Sequence, residues 1–241
     1  MTYILSGANE VTWEQLKSIP TPKAKGRWHP VTHKTVASHI IGLTQQRGHT
    51  INEIRYGIDK YNDMFGYMRL NNTSAIGNNA DSVQQVVGFR NSHNKRFSVS
   101  AVAGSQVMVC SNLQFRGEHG MRRKHTTHVM RDLGNRINDM LNDAFGEWED
   151  TVKSYTKYSL TPLSSKDADH LIMRSAKAGA INPSDVLKVE HEFYNPTHDD
   201  FADHNAWSLF NATTEILKRV PTQLQQKTIK LHKVYDEFCT A

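Results

Sequence analysis

The sequence predicts an α+β fold, in which an antiparallel β-meander from the N-terminal half packs against a helical C-terminal half. Two observations carry that prediction. Strand-like runs separated by turns fill residues 83–112, and after His125 apolar residues recur at three- and four-residue steps. A third sets the organisation. No internal repeat or long low-complexity tract divides the 241 residues, so the chain reads as a single domain, with a sheet-rich basic half (1–122) and a helical half (123–241).

The elements follow in order. Residues 12–19 read as a short helix with Thr12 placed to cap it and Pro20 to stop it. Residues 21–30 form a basic loop by their prolines and glycine. A helix over 32–46 has Val36, Ile40, Ile41 and Leu43 on its apolar face and Gly48 as its stop. From Ile51 to Leu70 the pattern is strand-like, and 71–81 reads as a polar, Asn-rich loop. Strands are expected over 83–90, 97–103 and 106–112, joined by a polar turn at 91–95 and a tight hairpin at Gly104-Ser105. Val129, Leu133, Ile137, Met140, Leu141, Ala144, Phe145 and Trp148 mark a long amphipathic helix that can continue through Tyr155. Shorter helices follow at 164–177 and 183–194. A strong one spans 203–220 with Asp203 as cap, and a last helix is opened by Pro221.

Composition bounds the function. No run approaches eighteen apolar residues, the N-terminus lacks the pattern of a signal peptide, and Cys110 and Cys239 have no metal-site spacing. A soluble protein of a reducing cytoplasm is expected. The net charge is +5 and unevenly placed. Residues 1–120 carry 13 Lys/Arg against 7 Asp/Glu, and residues 121–241 carry 16 against 17. A basic face built from the first half suits a polyanion.

Three basic segments are the candidate nucleic-acid contacts. The turn between two strands holds Arg90, His93, Lys95 and Arg96, flanked by Phe89 and Phe97. Arg116, Arg122, Arg123 and Lys124 precede the long helix, and Lys23, Lys25, Arg27 and Trp28 form the third segment. Lys and Arg neutralise phosphates, Arg also stacks on bases, and Phe89, Phe97 or Trp28 would offer stacking faces. Solvated loops with both phenylalanines buried are the plainer reading. Basic residues at a helix start oppose its dipole, which argues that Arg122, Arg123 and Lys124 serve something else.

Other chemistries are thinner. His125 and His128, near Glu118 and His119, and the cluster His198, Asp199, Asp200, Asp203 and His204 have ligand-type side chains for a metal-dependent nuclease or phosphohydrolase. Neither fits a defined spacing, and acids ahead of a helix also serve as caps. No nucleophile elbow, phosphate loop or dinucleotide fingerprint occurs. The expectation is a non-enzymatic protein with no cofactor and no metal site. The alternatives are the metal-dependent hydrolase and a protein–protein interaction module acting through the helical half.

Three segments also carry a family resemblance: Gly88-Phe-Arg-Asn-Ser-His93, Val107-Met-Val-Cys-Ser-Asn112 with Arg123-Lys-His-Thr126 downstream, and Trp207-Ser-Leu-Phe-Asn-Ala-Thr-Thr-Glu215. Their order and spacing, over roughly residues 30–220, resemble the phage/plasmid-like proteins grouped as "domain of unknown function 932". That resemblance implies a phage or mobile-element origin and no particular activity. In size and basicity the chain is more loosely similar to the single-stranded-DNA-binding RNA polymerase cofactors (Drc) of some podoviruses. This likeness implies binding to melted promoter DNA and recruitment of a phage RNA polymerase. The combined expectation is a sequence-tolerant single-stranded DNA-binding protein. RNA is inseparable from DNA at this level, no membrane is involved, and a homo-oligomer is compatible with work along a strand.

Overall fold

The computed structural model describes residues 8–76, 82–107, 113–114, 120–219 and 223–240. The fold is α+β. The strands are β1 (Asn9–Val11), β2 (Ile51–Ile58), β3 (Met64–Ala75), β4 (Ser82–Asn91), β5 (Val99–Val107), β6 (Leu113–Gln114) and β7 (Gly120–Arg123). They form one sheet in the order β1-β2-β3-β4-β5-β6, with β7 also paired to β5. Before β2 come helices α1 (Trp13–Ser18) and α2 (His33–Gln46). After β7 come α3 (Val129–Gly146), α4 (Trp148–Ser159), α5 (Ser165–Lys177), α6 (Val186–Tyr194), α7 (Ala206–Leu217) and α8 (Leu224–Thr240). No helix among the described residues is long and apolar enough to cross a membrane.

Contacts group the chain into two compact units. One comprises Met1–Asn72, Gln85–Gly104 and His119–Gly146; the other comprises Thr73–Gln84, Ser105–Glu118 and Glu147–Ala241. In the first, the strand period of two sends Tyr56, Ile58, Met64, Met68, Val87, Phe89, Val99, Ala101 and Ala103 into a shared core. Val36, Ala37 and Ile40 of α2 and Leu133, Ile137, Met140 and Leu141 of α3 complete it at helical spacing. Each of the larger side chains contributes about 1.5–3 kcal/mol by leaving water. Polar bonds fix the layers: Arg47 Nε donates to Asn142 Oδ1 (2.9 Å), tying the end of α2 to α3. Gln85 Nε2 donates to the Ala144 carbonyl (2.9 Å), one of the carbonyls left over at the end of α3.

The second unit has an aromatic core drawn from pairs three residues apart. Tyr155 and Tyr158 of α4 meet Trp207 and Phe210 of α7 and Tyr235 of α8, with ring centroids 4.9 Å apart for Tyr155–Trp207 and 5.1 Å for Phe210–Tyr235.

Capping signals in the sequence translate directly. Thr12 and Ser164 form capping boxes on α1 and α5, and Thr32 caps α2. Four expectations need correction. Gly104-Ser105 is not a hairpin: β5 runs through it, and Ser105 is a buried strand residue whose Oγ bonds the Tyr155 hydroxyl (2.7 Å). Residues 71–75 are strand rather than loop, because their polar side chains bond across to β4. Asn72 Nδ2 donates to Gln85 Oε1 (2.9 Å) and Gln84 Nε2 to Thr73 Oγ1 (2.6 Å). The long helix breaks at Glu147, after the poor helix former Gly146. Asn205, not Asp203, caps α7 by accepting from the Ser208 amide. Residues 108–112 and Pro221 lie outside the described residues.

Candidate nucleic-acid interface

Everything in this site belongs to the first unit. Residues 25–28 form a turn closed by two backbone bonds, Lys25 N–H to the Trp28 carbonyl (3.0 Å) and Trp28 N–H to the Lys25 carbonyl (3.1 Å). Gly26 opens the loop at φ +60°, as the first loop residue of a type II′ turn must. Trp28 bridges to Thr126, and the His29 amide donates to the His125 carbonyl (3.1 Å). Val31 is then gripped from two sides. Its N–H donates to His125 Nδ1 (3.3 Å), while its carbonyl accepts from Asn91 Nδ2 (2.8 Å) and His93 Nε2 (2.9 Å). The 23–28 strap is therefore stitched to the end of β4 and to the segment after β7. The Lys95 ammonium stands 5.2 Å from the centre of the Trp28 ring. The three basic segments meet here.

The stitching is a buried polar knot. His33 and His93 stack at 3.7 Å with rings 10° from parallel. Asn91 Nδ2 donates to His33 Nδ1 (2.9 Å), and His33 Nε2 then donates to the Asn62 carbonyl (3.0 Å). These partners suit neutral imidazoles. Burial, helped by His93, pushes His33 down to about 3. Burial lowers His93, and burial with His93 nearby lowers His125 to about 4. His93 Nδ1 and His125 Nε2 are buried without a hydrogen-bond partner among the described residues.

The candidate residues divide sharply. Phe89 is a core residue, 3% exposed, and its ring lies so close over Gly66 that a Cβ there would collide with it. It offers no stacking face, because it shares with Val87 the side of β4 that faces the core. His93 is likewise buried in the knot and offers no contact to a polyanion. Phe97 is half-buried between Phe65 (5.8 Å) and the Arg90 guanidinium (4.7 Å). Arg90 Nε also donates to Ser100 Oγ (2.8 Å), and burial, then the Arg122 charge, lowers its pKa. Arg96 Nη1 bonds both Asp59 and Asp63 at 3.0 Å. Arg123 donates through Nε to Asp132 Oδ1 (2.6 Å) and through Nη2 to the His128 carbonyl (3.1 Å). Arg122 and Arg123 lie on β7 rather than at a helix start, so the helix-dipole argument does not apply to them.

What remains is a set of exposed cations: Lys23, Lys25, Arg27, Lys95, Arg122 and Lys124. None makes an ion pair with a described residue. Arg116 lies outside the described residues. Sequence reasoning passes over Tyr61, which sits at the tip of the β2–β3 turn, 49% exposed, with the Arg96 guanidinium 4.3 Å and the Lys60 ammonium 5.0 Å from its ring centre. The signal was a large aromatic inside the turn-forming run Asp59-Lys-Tyr-Asn-Asp63.

Of the alternative metal ligands, Glu118 and His119 lie outside the described residues. Among the described residues no three His, Cys, Asp or Glu come together to hold a metal. His204 instead packs on Phe193 (5.2 Å) and Tyr194 (5.5 Å), and His125 turns inward to Val31.

Compared with known proteins, the chain matches the family described as "Domain of unknown function (DUF932)" over residues 23–235. No curated protein and no solved structure matches it. The match takes in the strap, the knot and most of the helical unit, and the chain belongs to the DUF932 family.

Proposed function

We propose that this protein binds single-stranded DNA with little sequence preference, as a binding protein rather than a catalyst. The observation that carries the reading is the meeting of three basic segments around a partly exposed tryptophan. Lys95 lies over Trp28, and the Trp28 strap is bonded to residues 125–126, directly after Arg122 and Lys124. Unpaired cations beside an aromatic face match what a single strand offers, a phosphate track and unstacked bases. Contacts from Lys and Arg to phosphate carry no sequence information of their own, which favours sequence tolerance.

The test is a fluorescence anisotropy titration of single-stranded DNA, duplex DNA and single-stranded RNA at several salt concentrations. Tighter binding to single-stranded DNA than to duplex, weakening steeply with salt, is the expected result. Equal or tighter binding of RNA would reassign the strand. No binding, or binding indifferent to salt, would remove the proposal.

A further inference from the structure

Tyr61 presents its side chain at the surface of the β2–β3 turn. Its backbone does the structural work of the turn: the amide donates to Asp59 Oδ1 (2.8 Å) and the carbonyl accepts from Asn94 Nδ2 (2.9 Å). The ring is half exposed, and two cations, Arg96 and Lys60, stand over it. Asn62 beside it takes φ +58°, a conformation asparagine tolerates, and the turn carries the Tyr61 ring at its tip.

The two cations near Tyr61 differ. Arg96 is pinned by Asp59 and by the fully buried Asp63 carboxylate, so it is fixed and its charge is compensated. Lys60 is exposed and makes no ion pair with a described residue, so it can move aside. Arg96 thus makes a rigid, charge-neutralised backing for the ring rather than a phosphate contact. Its sequence neighbour Lys95 does the opposite. Lys95 sits at φ +71°, where a side chain carries a conformational cost, and reaches Trp28. The turn therefore sends two consecutive cations to two different rings, one half-buried and one exposed.

We propose that Tyr61 is a base-stacking platform. A nucleobase lies on its open surface while the same strand passes its phosphates to Lys60, Lys95 and the Lys25–Arg27 strap. This deepens the single-stranded DNA reading and rests on it. It assigns Tyr61 contact with a base, not with the charge of the strand.

The experiment compares wild type, Tyr61→Ala, Tyr61→Trp and Lys25→Ala, each titrated against a fluorescein-labelled single-stranded deoxythymidine oligonucleotide over a salt series, with a matching RNA arm. Tyr61→Ala is expected to weaken binding about tenfold at every salt concentration, the scale of one lost base stack, with the salt slope unchanged. Tyr61→Trp retains or tightens binding. Lys25→Ala makes the slope shallower by about 0.7, the mark of one lost phosphate contact. An unchanged urea midpoint for Tyr61→Ala confirms that the turn still forms. Binding by Tyr61→Ala within about twofold of wild type overturns the platform, and so does a loss accompanied by a shallower slope. Wild-type protein that binds no oligonucleotide overturns the parent reading, which the wild-type titration reports separately from the variants.

Discussion

The knot and the strap are joined to each other and behave in opposite ways. In the knot, His33, Asn91, His93 and His125 are buried and directional; Asn91, His93 and His125 converge on the backbone of Val31, and His33 holds Asn91 from behind. In the strap, Lys23, Lys25 and Arg27 are exposed and face water. The same division runs through the 90–97 turn, where Arg96 is committed to two carboxylates and Lys95 beside it is not. A run of basic residues therefore contains two populations. Those bonded internally set geometry, and the others carry the charge a polyanion would meet.

Acid should open the largest gap between the two regions. The three knot histidines have folded pKa values below the unfolded value of about 6.5. The unfolded chain therefore takes up protons that the folded chain refuses. Stability from this source is full above pH 6.5 and falls as pH drops, until the folded protein also protonates near 4 for His125 and near 3 for His33. His33 and His125 each cost up to about 1.4 kcal/mol of stability per pH unit as pH falls through their own windows, and His93, also lowered by burial, acts in the same direction. Urea midpoints at pH 7.5, 6 and 5 should decline steeply; a flat series would mean that the histidines are not held neutral.

A smaller effect separates knot from strap at neutral pH. Asn91→Ala removes a donor to the Val31 carbonyl and takes away the Asn91 amide that His33 Nδ1 accepts from in a fully buried place, at a cost of about 2 kcal/mol. Chemical denaturation measures it, and a loss below about 0.5 kcal/mol would show that the strap is held by other means. The smallest expected effect on stability belongs to Lys25→Ala, within about 0.5 kcal/mol of wild type. A Lys25 variant that unfolds more easily than that would place Lys25 in the structural population.

Much of the fold was legible because its signals are local. Thr12, Thr32 and Ser164 announce helix starts, and the apolar spacing from Leu133 to Leu141 announces the core face of α3. Gly104-Ser105 misleads because a Gly-Ser pair resembles a turn, while Ser105 finds its partner, Tyr155, fifty residues away. The site was legible only as three separate segments. Their meeting depends on His29 to His125 and His93 to Val31, pairs that no local pattern connects. Phe89 could have been placed correctly, since it shares the parity of Val87 in a strand, whereas the choice of Arg96 over Lys95 as the structural cation needs Asp59 and Asp63 in view.

The central claim is that the exposed cations act on phosphate while the knot holds them in place. The most direct measurement is the salt dependence of single-stranded DNA binding for wild type and for the Lys25→Glu, Arg27→Glu double variant. Six cations each meeting one phosphate give a slope of about −4 in log affinity against log salt. The double variant should bind far more weakly, with a slope shallower by about 1.4 and the urea midpoint of the wild type. Equal slopes and equal affinities for the two proteins would contradict the account.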